Sequence, residues 1–279
     1  MSHPMHEFRA DLHVHTHFSD GSFSPEEVLQ KAKEAYLQGI SITDHDTVEA
    51  YSKELEDKSE KLGIRLLSGI EISCSHRHAD IHILGYGLDY SALSLKTFLQ
   101  KVQAKREERN RQILQKLKEH RMMISEEELY THARRVVKTR VIGRPHIAEM
   151  MVKMGYVKNM QDAFAHYLRD YGPCYVPGGK SSPIEVIGEI HLVGGKAVLA
   201  HPHFIHSQKV VKELLQLPFD GIECYYGKLL KDQEKKWLDI VKEKNWIVTG
   251  GSDFHGENKA YITLGSSWVG RETFFRLLG

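Results

Sequence analysis

The chain has 279 residues, 27% of them charged and 41% hydrophobic, with a formal net charge of +1, ordinary proportions for a soluble globular protein with a substantial core. The balanced charge excludes a global pull toward nucleic acid or membrane. No run approaches the roughly 18 apolar residues that span a bilayer, and Met1 to Arg9 lacks the apolar core of a signal peptide.

In chain order, Phe8 to Val14 reads as a strand. Ser24-Pro25-Glu26-Glu27 is a capping box with proline at the first helical position, so a helix starts there. Its apolar stripe is Val28, Leu29, Ala32, Ala35 and Tyr36, and Gly39 ends it. Ile40 to Thr43 reads as a strand, Val48 to Leu62 as a helix, and Ile64 to Ser73 and Asp80 to Leu88 as strands. This alternation predicts parallel strands covered by helices. From about 92 to 180 the character changes. Lys101 to Arg121 is a long charged helical stretch, Ser125-Glu126-Glu127-Glu128 caps another helix, and Gly143-Arg144-Pro145-His146 precedes an apolar helical run from Ile147 to Met154. Alternation resumes with the capping box at Ser182, strands at Lys196 to Ala200, Gly221 to Tyr225 and Trp246 to Gly250, and a short last strand at Tyr261 to Leu264. The predicted organisation is a barrel in two parts, 1–91 and 181–279, with a helical insertion over 92–180 capping the substrate site. Gly194-Gly195 reads as a turn, since GxGxxG and GxxxxGK[ST] are absent. Cys74, Cys174 and Cys224 stand far apart with no CxxC pair, which fits buried thiols in a reducing cytoplasm.

Six of the 18 histidines fall in five short clusters, each at or just after a predicted strand. The clusters are His13-Val14-His15 with Asp20, Asp44-His45-Asp46, Glu71 with His82, Ala200-His201-Pro202, and Asp253-Phe254-His255. Residues i and i+2 of an extended chain share a face, so His13 and His15 can grip one ion, as can Asp253 and His255. Imidazole with carboxylate suits zinc, manganese or iron better than magnesium or calcium. The pattern is that of a multinuclear metallohydrolase, its site at the carboxyl ends of the strands of an α/β barrel. Asp11, Asp44 and Asp46 stay outside the ligand set; Asp44 or Asp46 is a candidate to orient His45 from behind.

The order HxH, DHD, GIE, AHP and SDFH resembles the PHP superfamily, named for polymerase and histidinol phosphatase, over nearly the whole chain. Within it the GRPH insert resembles a bacterial group that includes nucleoside 3′,5′-bisphosphate phosphatases and a 5′-to-3′ exoribonuclease. The resemblance implies a distorted (β/α)7 barrel and a trinuclear site of manganese, iron or zinc. A first ion falls to His13, His15, Glu71 and Asp253, and Glu71 bridges to a second completed by His82 and His201. Asp20, His45 and His255 hold a third. A water bridging two ions, deprotonated near neutral pH, is the expected nucleophile.

Substrate contacts are expected from the insertion: the planar fork of Arg144 for phosphate oxygens, His146, Tyr175, and Lys180, where glycines intervene after Tyr175-Val176-Pro177. His203 is a candidate acid for the leaving oxygen. Arg134, Arg135, Lys138 and Arg140 either track a nucleic-acid backbone or, more plainly, form a solvated helix face. The expected reaction is metal-dependent hydrolysis of a phosphate ester of a small nucleotide, the 3′-phosphate of a nucleoside 3′,5′-bisphosphate foremost. Its rivals are 5′-end trimming of short RNA, histidinol phosphate hydrolysis, and a metal-stabilised accessory module without turnover. No obligate protein partner and no membrane is expected.

Overall fold

A computed structural model describes residues 7–134, 141–177 and 181–278. Seven strands form one mixed sheet in chain order: β1 (Ala10–Val14), β2 (Gly39–Ile42), β3 (Arg65–His76), β4 (Ala79–Tyr86), β5 (Lys196–Leu199), β6 (Gly221–Tyr226) and β7 (Ile247–Gly251). β1 meets the chain just beyond β7 through Val14 and Phe254, with His15 N–H donating to Phe254 O at 2.9 Å, so the sheet nearly closes into a barrel. Closure needs a glycine on β7, because a Cβ on Gly251 would stand 2.3 Å from His13 N.

Ten α-helices lie among the described residues. On the barrel these are α1 (Pro25–Glu34), α2 (Lys53–Leu62), the start of α3 (Leu93–Glu119), α7 (Pro183–Leu192), α8 (Gln208–Leu214), α9 (Lys231–Lys244) and α10 (Arg271–Leu278). The rest of α3, with α4 (Glu126–His132), α5 (Arg144–Lys153) and α6 (Met160–Ala163), builds the inserted segment. The capping boxes at Ser24, Ser125 and Ser182 are all formed.

Strand periodicity explains the layering. Ile70, Ile72, Ile81, Ile83, Leu199, Ile222 and Cys224 pack outward against the helices, whereas Leu67, Leu84, Tyr86 and Val198 fill the barrel floor. Alternation therefore sends Glu71, His82 and Glu223 inward with the second set. The insertion has a core of its own, including Ile113, Leu117, Leu129, Ile147, Met151 and Leu168. Helix α3 serves both cores: Leu95 and Leu99 pack on the barrel and Ile113 and Leu117 in the insertion.

Several expectations need correction. The strands are not all parallel, since β4 runs antiparallel to both β3 and β5. Only Arg77 and His78 separate β3 from β4, both with positive φ (48° and 67°), as a tight primed hairpin turn requires. A two-residue link leaves no room for the crossover that parallel pairing needs. Consequently Glu71 and His82 lie inside long strands rather than at carboxyl ends. They belong to one face, because Glu71 is opposite Leu84, two residues from His82. Tyr261 to Leu264 is turn, not strand, and only Val269 bridges back to Ala10. Helix α1 stops at Glu34, and Tyr36, at φ 56°, is exposed rather than part of the stripe. Helix α2 starts at Lys53, where Ser52 caps it, not at Val48.

Candidate metal centre

The nine predicted ligands converge at the barrel mouth. His13 Nε2 lies 3.2 Å from His15 Nε2, 3.3 Å from Glu71 Oε2 and 3.5 Å from Asp253 Oδ1. His15 Nε2 lies 3.2 Å from Glu71 Oε2 and 3.3 Å from Asp253 Oδ1. In a tetrahedral shell with bonds of about 2.1 Å, ligand atoms stand about 3.4 Å apart, so these spacings fit one ion held by four atoms. The other oxygen of Glu71, Oε1, is 2.9 Å from both His82 Nδ1 and His201 Nε2. One carboxylate thus faces two ligand groups. Asp20 gathers the rest: Oδ1 is 3.2 Å from His255 Nε2 and Oδ2 is 3.8 Å from His45 Nε2. His45 stands between groups, with its buried Nδ1 at 3.1 Å from Glu71 Oε2 but without a hydrogen bond. Three sets of three or four residues have geometry suited to an ion: His15, Asp20, His45 and His255; His13, His15 and Glu71; and His45, Glu71 and His82.

The electrostatics favour positive charge here. Burial disfavours the charged form of His13, His15, His45 and Glu71, yet the surrounding opposite charges overcome it in three of them. His13 is driven well above its ordinary pKa by Glu223, Glu71 and Asp253. His15 rises to about 9 through hydrogen bonds to Asp253 and Glu71. Glu71 falls well below the carboxylate range beside His45, His82 and His13. His45, where burial wins, is held well below its usual value. A carboxylate set that draws protons onto buried imidazoles also suits divalent cations.

Backbone geometry is unusual at the same places. Asp46, His201 and Asp253 have φ of 55°, 23° and 57°, a left-handed region that costs a non-glycine residue roughly 1 kcal/mol or more.

Supporting residues complete the mouth, and sequence reasoning missed most of them. Glu223, fully buried on β6, accepts from His13 Nδ1 and from His201 N–H, both at 2.8 Å. This fixes the His13 tautomer and leaves Nε2 for the site. Its signal was available: Gly221-Ile222-Glu223 repeats Gly69-Ile70-Glu71. Tyr226 Oη and Lys259 Nζ both donate to Asp253 Oδ2, at 2.7 and 2.8 Å, leaving Oδ1 toward His13 and His15. Neither Asp44 nor Asp46 supports His45. Asp44 accepts from Thr16 N–H at 2.7 Å and Ser19 Oγ at 2.6 Å, and so holds the loop carrying Asp20. Asp46 accepts from Ser73 N–H at 2.7 Å and pairs with Arg106. Asp11 accepts the N–H groups of Ser252 and Gly265, both at 2.8 Å.

The insertion supplies the facing wall. One cleft is lined by Asp20, His45, His82, His255 and Lys259 from the mouth and by Arg106, Arg109, Arg144 and His146 from α3 and α5. Arg106 and Arg109 were also missed: three apart on α3, they share a helix face, but nothing local separates them from that helix's solvated charges. Arg144 donates to Asp170 at 2.6 Å, to Leu168 O at 3.0 Å and to Asp80 at 3.3 Å. Arg109 reaches Asp80 at 3.3 Å. Tyr175 does not line this cleft; its ring lies 6.0 Å from Arg109 and 5.8 Å from Arg144. His146 is fully buried, accepts from Gly143 N–H at 3.0 Å, and is pushed by burial down to about 4. His203 lies outside the cleft lining, its Nδ1 buried without a hydrogen bond. Burial and then His201 push it down to about 4, so the ring is neutral at pH 7. Lys180, and Arg135, Lys138 and Arg140, lie outside the described residues.

A PHP domain model matches residues 11–172. The 5′-3′ exoribonuclease Rnm of Escherichia coli is 31% identical over 251 residues, 88% of this chain and 84% of that protein. The 3′,5′-nucleoside bisphosphate phosphatase of Chromobacterium violaceum is 31% identical over 261 residues, 91% and 90% of the two chains. A solved structure from Bifidobacterium adolescentis, described as a metal-dependent phosphoesterase, superposes with a TM-score of 0.86 at 29% identity, covering 99% of this chain and 97% of that one.

Proposed function

Because the chain belongs to the PHP domain family of metal-dependent phosphoesterases, we propose that it removes the 3′-phosphate from nucleoside 3′,5′-bisphosphates. The observation that carries this reading is the cleft itself, with the carboxylate–imidazole cluster on one side and three guanidiniums on the other. A substrate with two phosphates satisfies both sides. A substrate with one phosphate, such as histidinol phosphate, leaves the arginine wall unused.

We assign two to three ions of manganese, iron or zinc to the sets given by the family resemblance: His13, His15, Glu71 and Asp253; Glu71, His82 and His201; Asp20, His45 and His255. Such ions, when bound, supply a water acidified to near neutral pH and a positive field for the phosphate. The chain's own residues do the positioning. Glu223 presents His13 through Nε2, while Tyr226 and Lys259 hold the outer oxygen of Asp253. Arg144 takes the second phosphate by exchanging its carboxylate partners for phosphate oxygens, charge-assisted bonds of the same kind. His146, two residues on and buried, lines the same cleft, and the Tyr175 ring faces the guanidiniums of Arg109 and Arg144; Lys180 remains a candidate second phosphate contact. A ring held near 4 is almost wholly unprotonated at neutral pH, so we assign no proton transfer to His203. No helix among the described residues is long and apolar enough to cross a membrane, and the reading places the enzyme in the cytoplasm.

A second reading uses the same anchors. A 5′-phosphorylated RNA end sets its terminal phosphate on the arginines and its first internal phosphate at the cluster, and the Escherichia coli relative is named for trimming from that end. The test is phosphate release from adenosine 3′,5′-bisphosphate by chelator-treated protein with manganese, zinc or iron restored, beside a short 5′-phosphorylated RNA. Release giving AMP with at least one metal is expected. No release with any metal, from protein that binds ions, overturns the first reading, and cleavage of the RNA alone establishes the second.

A further inference from the structure

The rim beside His201 carries an aromatic group that the proposed bisphosphate reaction does not use. Phe204 ends the short turn Pro202–Phe204 that follows His201, and it is 54% exposed. Its ring centre lies 4.2 Å from that of His203, 5.3 Å from His201 and 5.4 Å from Tyr226. Tyr261, 60% exposed, stands on the same rim with Lys228 Nζ 4.2 Å above its ring, near Tyr226. Aromatic faces interleaved with cations are the arrangement that holds single-stranded nucleic acid, bases stacking on the rings and phosphates meeting the cations.

The placement gives this rim a direction. Phe204 stands at the His13–His201–Asp253 end of the cluster. The arginine wall closes over the Asp20–His45–His255 end, and neither Phe204 nor Tyr226 lines that cleft. A nucleotide anchored on the arginines by its 5′-phosphate, with its 3′-phosphate at the cluster, therefore ends before it reaches Phe204. Only a substrate that continues past the scissile phosphate arrives there.

We propose that Phe204, seated on His203 and Tyr226, is a stacking platform for the base of the nucleotide that follows the scissile phosphate, and that it sets the preference for an RNA end over a bisphosphate nucleotide. Lys228 and Tyr261 continue the track for the next phosphate. This rests on the phosphate-ester reading above.

The experiment compares the full chain with its Phe204→Ala and Phe204→Trp variants, metals restored, on two substrates: adenosine 3′,5′-bisphosphate and the 5′-phosphorylated dinucleotide pApA. One lost base–aromatic stack lowers kcat/KM for pApA by about tenfold in Phe204→Ala, while the bisphosphate is cleaved as by the wild type and Phe204→Trp restores pApA. Equal losses on both substrates overturn the proposal, because they mean that Phe204 merely supports His201. No loss on either also overturns it. A separate binding measurement uses a pApA analogue with a non-hydrolysable linkage and 2-aminopurine as its second base. Quenching by the wild type that is lost in Phe204→Ala supports the platform, and quenching unchanged by the variant sinks it. If the wild type cleaves neither substrate, the phosphate-ester assignment has failed and the quenching result alone judges the platform.

Discussion

Glu71 and Arg144 bound the same site but are held in opposite ways. Glu71 is 1% exposed and sits inside a long strand, with both oxygens met by imidazoles from four other elements or loops. Arg144 is 20% exposed at the first turn of α5 and is tied to Asp80 of barrel strand β4 and to Asp170 and the Leu168 carbonyl of the insertion. The first arrangement is built around the sheet, and some of its members are braced from behind, as Glu223 braces His13 and Tyr226 and Lys259 brace Asp253. The second is a set of ion pairs whose carboxylates can be exchanged for phosphate oxygens, charge-assisted partners of the same kind. In the proposed reading this contrast is a division of labour: the barrel holds the metal ligands, and the insertion meets the substrate's second phosphate with charges that are satisfied but exchangeable.

The strongest way to break that division is at Glu71. Glu71→Ala removes the one carboxylate facing two ligand groups, so activity falls at least about 10³-fold, the several kcal/mol that metal ions supply, and bound metal falls with it. Elemental analysis together with a thermal melt checks this. A variant that keeps its metal and half its rate overturns the assigned ligand sets, and one that merely unfolds indicates a structural metal instead.

A smaller effect tests the bracing. Glu223→Gln keeps the shape but weakens the hold on His13 Nδ1, which lowers metal affinity or activity by about 10- to 100-fold. Metal titration of the stripped protein reads it, and unchanged affinity means that the sheet alone orients His13.

The smallest effect sharpens the other side. Arg144→Ala raises KM for the bisphosphate by about tenfold or more, the value of one charge-assisted bond, and leaves kcat and metal content near wild type. A loss confined to kcat places Arg144 in the chemical step rather than in binding.

Much of the mouth was legible because its ligands come as local pairs. His13 and His15 sit two apart in extended chain, where period two puts them together; Asp253 and His255 follow the end of β7, where Asp253 turns with φ 57°, and their closeness comes from that turn. The capping boxes were legible for the same reason, each being closed within four residues. The β3–β4 hairpin was not, because its turn uses Arg77 and His78 in left-handed conformations without glycine or asparagine. That concealed the antiparallel run of β4 and the interior position of His82. Glu223 was marked by the repeated Gly-Ile-Glu, but its role behind His13 was not, since the two lie 210 residues apart. The same holds for Asp46, whose partner Arg106 belongs to another element of the fold.

By itself, then, the sequence determined which residue types meet and in what short-range geometry: the His13–His15 pair, the helix starts that carry a capping box and the alternating strand faces. Those depend on backbone periods and on hydrogen bonds that span a few residues. Only the tertiary structure decided that Glu71 faces two ligand groups, that Asp44 and Asp46 brace a loop and an arginine instead of His45, and that α3 turns Arg106 and Arg109 toward the cleft. Each of these is a long-range pairing of a buried charge, and which partner a buried charge finds is fixed by the packing of the whole chain.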